Sequence, residues 1–256
     1  MIESILKLNP IVQTLLATCF TYSITALGAA VVFFIKKMNK TFMDGTLGFA
    51  AGIMIAASFF SLLLPAINIC EELDLIKWLI ILIGFISGGL LIFIGDKIFD
   101  HNKNKRAMML MSSITLHNIP EGMAIGVAFG SVIYGINGAT LIAAWTLALG
   151  IGLQNFPEGS AISMPLIRDG YSKKKAFFLG QISGIVEPVS GIIGALLVTK
   201  IRILLPILLS FAAGAMIYVV VQELIPESQT NKNKSLMALF TILGFSLMMI
   251  LDITLG

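Results

Sequence analysis

Long apolar segments, separated by short clusters of lysine and arginine, fill almost the whole of this 256-residue sequence. Hydrophobic residues make up 57% and charged residues 12% of the chain, whereas a soluble domain is about 25% charged. A helix that crosses a membrane needs about 20 mostly apolar residues. We divide the sequence at its charge clusters and at breaks formed by Gly, Pro and Asn. This division predicts eight such helices, spans 1 to 8, over residues 10–35, 45–69, 76–95, 107–130, 138–166, 175–199, 203–225 and 235–255. The predicted fold is therefore an all-α polytopic membrane protein, with a single transmembrane domain over residues 1–256.

Several other classes of protein are excluded by composition and by missing motifs. The net charge of +3 is small and dispersed, which argues against a nucleic-acid partner. The only two cysteines, Cys19 and Cys70, do not form a C-x-x-C pair, so neither a disulfide framework nor a thiolate metal site is expected. The sequence has no GxxxxGK[ST] loop for ATP. Its first ten residues, MIESILKLNP, lack the basic start and the cleavage site of a removable signal peptide.

The distribution of positive charge predicts the orientation in the membrane. Most of the 17 lysines and arginines lie in the loops that follow spans 1, 3, 5 and 7. The opposite side holds only four of them, and the loop between spans 2 and 3 is instead acidic, with Glu71, Glu72 and Asp74. Lysine and arginine accumulate in cytoplasmic loops. We therefore expect a multi-pass protein of the cell (inner) membrane with its N- and C-termini on the outer, periplasmic or extracellular, side.

Three glutamates lie at positions where the predicted membrane helices have no other charge. Glu121 and Glu158 are the only charged residues between Arg106 and Arg168, and Glu187 lies alone in the middle of span 6. An ionisable side chain at the centre of a membrane costs at least about 2.5 kcal/mol on insertion scales and is normally paired or functional. The partners left open are protons, polar side chains of other spans, or a bound cation. The structural alternative is a set of protonated glutamates that hydrogen-bond inside the helix bundle.

A repeated motif surrounds two of these glutamates. Residues 116–125 of span 4 read LHNIPEGMAI, residues 153–162 of span 5 read LQNFPEGSAI, and seven of the ten positions are identical. Consecutive spans run antiparallel, so the two motifs are expected to face each other. Internal repeats of this kind commonly place the binding site of a transporter at their interface, near the middle of the membrane.

Each motif places its polar residues on one helix face. Positions three and four apart are neighbours on a helix, which groups the side chains in two sets, His117, Asn118 and Glu121 in span 4 and Gln154, Asn155 and Glu158 in span 5. Together with Glu187 they offer one imidazole, three carboxylates and three amide oxygens. That set suits Zn²⁺, Fe²⁺, Mn²⁺ or Cd²⁺. The glycine after each glutamate, Gly122 or Gly159, allows another helix backbone to approach closely.

The sequence resembles the Zrt/Irt-like (ZIP) family of metal transporters in three segments, HNIPEG at 117–122, QNFPEG at 154–159 and Gly184-x-x-Glu187-Pro188. The resemblance implies eight spans, both termini outside, a homodimer, an elevator-like movement of the site against the other spans, and a binuclear metal site between helices 4, 5 and 6. It further implies two ligand sets, His117, Glu121, Gln154 and Glu158 for one metal and Asn118, Asn155 and Glu187 for the second, with Glu121 and Glu158 bridging.

The motifs differ from the pattern common in eukaryotic members of that family, H-N-x-x-D in span 4 and H-E-x-P-H-E in span 5. Here Glu121 replaces the aspartate, while Gln154, Asn155 and Glu158 replace a histidine, a glutamate and a second histidine. The paired P-E-G motifs are similar to the bacterial branch. With fewer imidazoles the site is richer in oxygen, so the resemblance implies weaker selectivity for zinc.

These features predict a transporter, not an enzyme, that moves divalent metal ions, Zn²⁺ first and also Cd²⁺, Fe²⁺ or Mn²⁺, into the cytoplasm. The metal is its substrate, no organic cofactor is expected, and the expected partners are metal ions, the lipid bilayer and a second copy of the chain, without nucleic acid or ATP. Two alternatives stay open: a proton- or anion-handling secondary carrier, and an intramembrane metalloenzyme, for which H-E-x-x-H is missing. The sequence also leaves open which metal is preferred, which ion is coupled to its transport, and whether Glu223, Glu227 and Asp96 bind metal in transit.

Overall fold

A computed structural model of the chain describes residues 8–34, 40–99, 105–135, 139–198 and 203–255. Within these ranges the chain forms eight long helices and no strands. We number them α1 to α8, over Pro10–Phe34, Lys40–Glu72, Lys77–Phe99, Lys105–Ile133, Leu141–Arg168, Lys173–Leu196, Leu205–Ser228 and Lys234–Leu255. Their bounds lie within a few residues of the predicted spans, apart from the longer start of α2. The all-α prediction is thereby confirmed.

Six of the described helices are long and apolar enough to cross a membrane, namely α1, α2, α3, α6, α7 and α8. The other two, α4 and α5, carry the repeated motifs. Helix α5 has 28 residues, which is sufficient length, but Gln154, Asn155 and Glu158 lower its hydropathy. In α4 the apolar part that is described runs over Asn118–Ile133. Eight spanning helices therefore stay a prediction at α4 and α5.

Small residues let the helices pack with their backbones in contact. Four pairs pack most extensively, α1 with α5, α3 with α7, α4 with α6, and α2 with α8. In the first pair Gly28 lies against the carbonyl of Phe156, and in the last Gly52 lies against the carbonyl of Thr241. Membrane helices associate by such close approach, because apolar side chains gain little by leaving lipid. Contacts of α1 with α4 and α6 join two of these pairs into a first group of α1, α4, α5 and α6. Contacts of α2 with α7 join the other two pairs into a second group of α2, α3, α7 and α8.

Prolines coincide with irregular turns in three helices. Helix α2 widens to a π-helix over Ser58–Leu63 just before Pro65, and α7 does so over Val220–Leu224 just before Pro226. Helix α6 tightens to a 3-10 turn over Ser183–Ile185, which ends before Pro188. A proline has no N–H for the carbonyl four residues earlier, and single irregular turns accommodate this defect. The turn in α6 lies immediately beside Glu187.

Apolar side chains on the outside and polar side chains on the inside characterise this bundle. Helices α3 and α8 expose most of their apolar surface, with large hydrophobic residues such as Trp78, Ile86 and Ile253 on the outside. Buried polar residues lie mainly along α1, α4, α5 and α6. This arrangement fits a lipid environment, and it places the polar interior inside the first group of helices.

Candidate metal site

Helix α4 contributes Asn118 and Glu121, whose side chains are completely buried. Asn118 donates its side-chain amide to the carbonyl oxygen of Ser183, 3.1 Å away in the 3-10 turn of α6. His117 belongs to α4 and lies one turn before Glu121, but its side chain is outside the described residues, as is that of Asp96.

Helix α5 contributes Gln154, Asn155 and Glu158, which are also fully buried. The side-chain amide of Gln154 donates a hydrogen bond to Glu121 on α4, so the two repeated motifs meet as the sequence predicts. Asn155 donates its amide to an oxygen of Glu187, at 2.9 Å. Glu158 lies close enough to Glu187 for the two carboxylates to interact electrostatically.

Helix α6 completes the cluster with Glu187, again fully buried. One of its carboxylate oxygens accepts from Asn155 and the other from the hydroxyl of Thr21 on α1. Thr21 was missed in the sequence analysis. A signal for it exists, because Thr14, Thr18, Thr21 and Thr25 follow one another at helical spacing along one face of α1. Six of the seven predicted site residues are thus buried on α4, α5 and α6, and we call these six residues the cluster. Hydrogen bonds join Gln154 to Glu121 and join Glu187 to Asn155 and to Thr21 on α1.

Three amide oxygens in this cluster have no hydrogen-bond partner among the described residues, Asn118 Oδ1, Gln154 Oε1 and Asn155 Oδ1. A buried polar atom without a partner costs about 1–3 kcal/mol. In each of the three residues the amide nitrogen donates to a neighbouring helix, which fixes the oxygen in another direction. These oxygens are therefore oriented acceptors, and a cation can satisfy them.

A grouping of carboxylate, imidazole and thiol side chains does not mark a metal site among the described residues, which leave out the side chain of His117. In the part of the chain that the structure describes, no three His, Cys, Asp or Glu side chains group as they do around a metal ion. Carboxylate and amide oxygens favour hard to borderline divalent ions.

Glycines hold the site helices close together. Gly122, next to Glu121, lies against the backbone of Glu187, and Gly159, next to Glu158, lies against the carbonyl of Thr25 on α1. A side chain at either position would strike backbone atoms. The predicted close approach at these two glycines is thereby confirmed.

Three further acidic residues, Glu227, Glu223 and Asp252, lie on α7 and α8. Glu227 is buried and forms an ion pair with Arg168, which joins the end of α7 to the end of α5. Glu223 is half-buried one turn earlier on α7. Asp252 on α8 accepts a hydrogen bond of 2.9 Å from Ser61 in the π-helical turn of α2.

Two cavities lie between the first and second groups of helices. One of about 410 Å³ is lined by α2, α4, α5 and α7, from Glu72 at the end of α2 to Ala124 on α4. The other, of about 350 Å³, reaches from Asp252 to Ile151 on α5. Ala124 and Ile151 are each three positions from a residue of the cluster, Glu121 and Gln154 respectively. Both cavities therefore extend to within about one helical turn of the site.

Comparison with known proteins shows that this sequence is similar to zinc transporters over most of its length. A sequence model of a family described as ZIP Zinc transporter matches residues 100–252. The zinc transporter ZIP11 of Xenopus tropicalis is 35% identical over 97% of this chain and 98% of its own length. The zinc transporter ZIPB of Bordetella bronchiseptica is 32% identical over 92% of this chain and 79% of its own. The zinc transporter ZupT of Streptococcus mutans is 31% identical over 90% and 92%.

Proposed function

The chain belongs to the ZIP zinc transporter family, and from this premise we propose that it carries divalent metal ions, zinc foremost, across the cell membrane into the cytoplasm. Relatives from a frog and from two bacteria are all named zinc transporters. The metal is the transported substrate. The same family resemblance supports a homodimer with both termini outside.

We assign the metal to the buried cluster between α4, α5 and α6. The first ion is held by His117, Glu121, Gln154 and Glu158, and the second by Asn118, Asn155 and Glu187. Glu121 and Glu158 bridge the two ions. In such a site three carboxylates offset most of the charge of two divalent cations, while neutral amides complete the coordination.

The observation that carries this proposal is the set of three buried amide oxygens that have no partner among the described residues. Buried polar groups in a bundle stabilised only by hydrogen bonds are normally satisfied, so three unsatisfied acceptors favour a bound cation. A proton carrier would use the glutamates alone, because an amide does not titrate. Coordination of a cation uses both kinds of oxygen.

The two cavities support entrance of the metal from the outer side. The cavity of about 410 Å³ lies where α2 and α4 end and α5 and α7 begin, and the cavity of about 350 Å³ lies where α5 begins and α8 ends. The sequence predicts that these ends face outward because lysine and arginine are scarce there. The acidic residues that line them, Glu72 and Asp252, attract cations. An ion on this path reaches the site one turn beyond Ala124.

The division of the helices into two groups supports an elevator-like cycle. All of the assigned ligands belong to the first group, α1, α4, α5 and α6, whose tightest contacts are with one another. We propose that this group shifts against α2, α3, α7 and α8 and carries the site from the outer to the inner side.

The test is uptake of Zn²⁺ into vesicles that contain the purified protein, with and without a pH gradient. We expect saturable uptake that Cd²⁺ inhibits, at least a tenfold loss in Asn155→Leu, and normal uptake in the control Gln222→Leu, whose amide is exposed on α7. A variant Asn155→Leu that transports normally would contradict the assignment. Proton flux without metal uptake would instead favour the proton carrier.

A further inference from the structure

Helix α1 supplies none of the predicted metal ligands, yet it buries a row of hydroxyl groups, from Thr14 through Thr18 and Thr21 to Thr25. Most of these hydroxyls bond only to the carbonyls of their own helix. Thr14 donates to Pro10 at 2.9 Å, Thr18 to Thr14 at 2.8 Å and Thr25 to Thr21 at 3.3 Å. Such bonds to the preceding turn are usual for threonine inside a helix, so they satisfy the hydroxyls without any role in a binding site.

Thr21 differs from the rest of the row. Its hydroxyl lies 3.0 Å from the carbonyl of Thr18 and also bonds to a carboxylate oxygen of Glu187. A hydroxyl has only one hydrogen to donate. Bonds to an ionised acceptor are about twice as strong as those between neutral groups, so the hydrogen goes to Glu187 whenever that carboxylate is ionised.

The backbone of Thr21 acts on a second ligand. The side-chain nitrogen of Asn155 donates to Glu187 at 2.9 Å and to the carbonyl oxygen of Thr21 at 3.3 Å. The amide group has two N–H donors, and both are now used. The amide oxygen of Asn155 must therefore face away from α1, and it is buried with no hydrogen-bond partner among the described residues.

From these contacts we infer that Thr21 is a positioning residue for the second metal. Its hydroxyl orients the carboxylate of Glu187, and its carbonyl orients the amide of Asn155. The inference rests on the proposed function, which assigns Asn118, Asn155 and Glu187 to that metal. The first metal has its own orienting contact, between Gln154 and Glu121, and does not depend on Thr21.

This role predicts a selective effect on affinity. Residues that orient metal ligands typically contribute 10–100-fold to metal affinity. Loss of the Thr21 hydroxyl leaves Glu187 with one donor instead of two, so the carboxylate must be ordered when the ion arrives. We expect the affinity for the second Zn²⁺ to fall by about 10–100-fold, while the first is bound as before.

The experiment is a calorimetric titration of the full-length protein in nanodiscs with Zn²⁺, beside vesicle uptake. Thr21→Val removes the hydroxyl at nearly constant volume, Thr21→Ser restores it, and Thr14→Val removes a hydroxyl of the same row that contacts no ligand. We expect two equivalents of Zn²⁺ in the wild type, weakened binding of one equivalent in Thr21→Val, and near wild-type titrations in Thr21→Ser and Thr14→Val. If Thr21→Val does not fold, Thr21→Ala provides the same comparison.

The outcomes separate this inference from the proposed function. If the wild type and Thr21→Val both bind two equivalents of Zn²⁺ tightly, the role of Thr21 is overturned and the two-metal site stays intact. Equal weakening in Thr14→Val would also overturn it, because the effect would then be one of packing. A single equivalent in the wild type would overturn the two-metal assignment, and the role of Thr21 with it.

Discussion

Gln154 donates its side-chain amide to the carboxylate of Glu121, across the interface between α5 and α4. This bond joins the two copies of the repeated motif at the point where the family pattern common in eukaryotes has a histidine. The nitrogen of the amide faces Glu121, and its oxygen has no hydrogen-bond partner among the described residues. In the proposed site this oxygen binds the metal, and a histidine at the same position would offer nitrogen instead.

The variant Gln154→His should shift the preference of transport toward Zn²⁺ over Mn²⁺. Imidazole nitrogen suits zinc, whereas amide oxygen suits harder ions. We expect the ratio of Zn²⁺ to Mn²⁺ uptake in a competition assay to rise about tenfold, which corresponds to about 1.4 kcal/mol. Gln222→His, at an exposed position on α7, is the control and should leave the ratio unchanged. An unchanged ratio in Gln154→His would mean that residue 154 does not touch the metal.

Removal of a bridging carboxylate should nearly abolish transport. Glu121→Ala and Glu158→Ala each leave two cations with fewer shared negative charges, and we expect uptake below about a tenth of wild type with normal amounts of protein in the membrane. Glu187→Gln should be milder, since this residue is assigned to one metal and keeps an amide oxygen. Glu71→Ala is the control, because its carboxylate is exposed and pairs with Lys77 at 2.5 Å. Normal uptake in either alanine variant would contradict the bridging role.

An alanine at Gly159 should damage the site through the backbone. The added methyl group would meet the carbonyl oxygen of Thr25 on α1, and overpacking of this kind typically costs about 1–3 kcal/mol. We expect a lower melting temperature and weaker Zn²⁺ binding. Gly150→Ala lies on the same helix, where an added methyl meets nothing within 4 Å, and should be neutral or stabilising. Similar losses in the two variants would show that contact with α1 does not explain the effect.

The ion pair between Arg168 and Glu227 connects the two groups of helices at one end of the bundle. The side chain of Glu227 is 10% exposed and that of Arg168 is 30% exposed, so removal of one partner leaves a partly buried charge. We expect Arg168→Gln and Glu227→Gln each to lower thermal stability. The double variant should lose less than their sum, with a coupling energy of roughly 0.5–3 kcal/mol. Additive losses would mean that the two side chains contribute independently.

Most of the correct predictions about the fold and the site came from the repeated motif and the long apolar segments. Sequence reasoning found the helix order and the polar faces of α4 and α5, because both follow from spacing along one helix. It missed Thr21, because the contact with Glu187 joins positions 166 residues apart, and a threonine row also fits ordinary packing. It missed the pairing of Arg168 with Glu227 for the same reason. The π-helical turns depend on how the chain adjusts around Pro65 and Pro226, which spacing does not reveal.

The contact of α1 with the later site helices also sets the order in which the protein can be assembled. Helix α1 leaves the ribosome before the other site helices, but Thr21 cannot bond to Glu187 until that residue, 166 positions later, has been synthesised. Translation at about 5–20 residues per second makes this interval on the order of ten seconds. Throughout it the hydroxyls of the threonine row can bond to the carbonyls of their own helix, so α1 can reside in lipid with its polar groups satisfied. The site then forms only after α6 has been inserted, when Thr21 gives its hydrogen to the carboxylate.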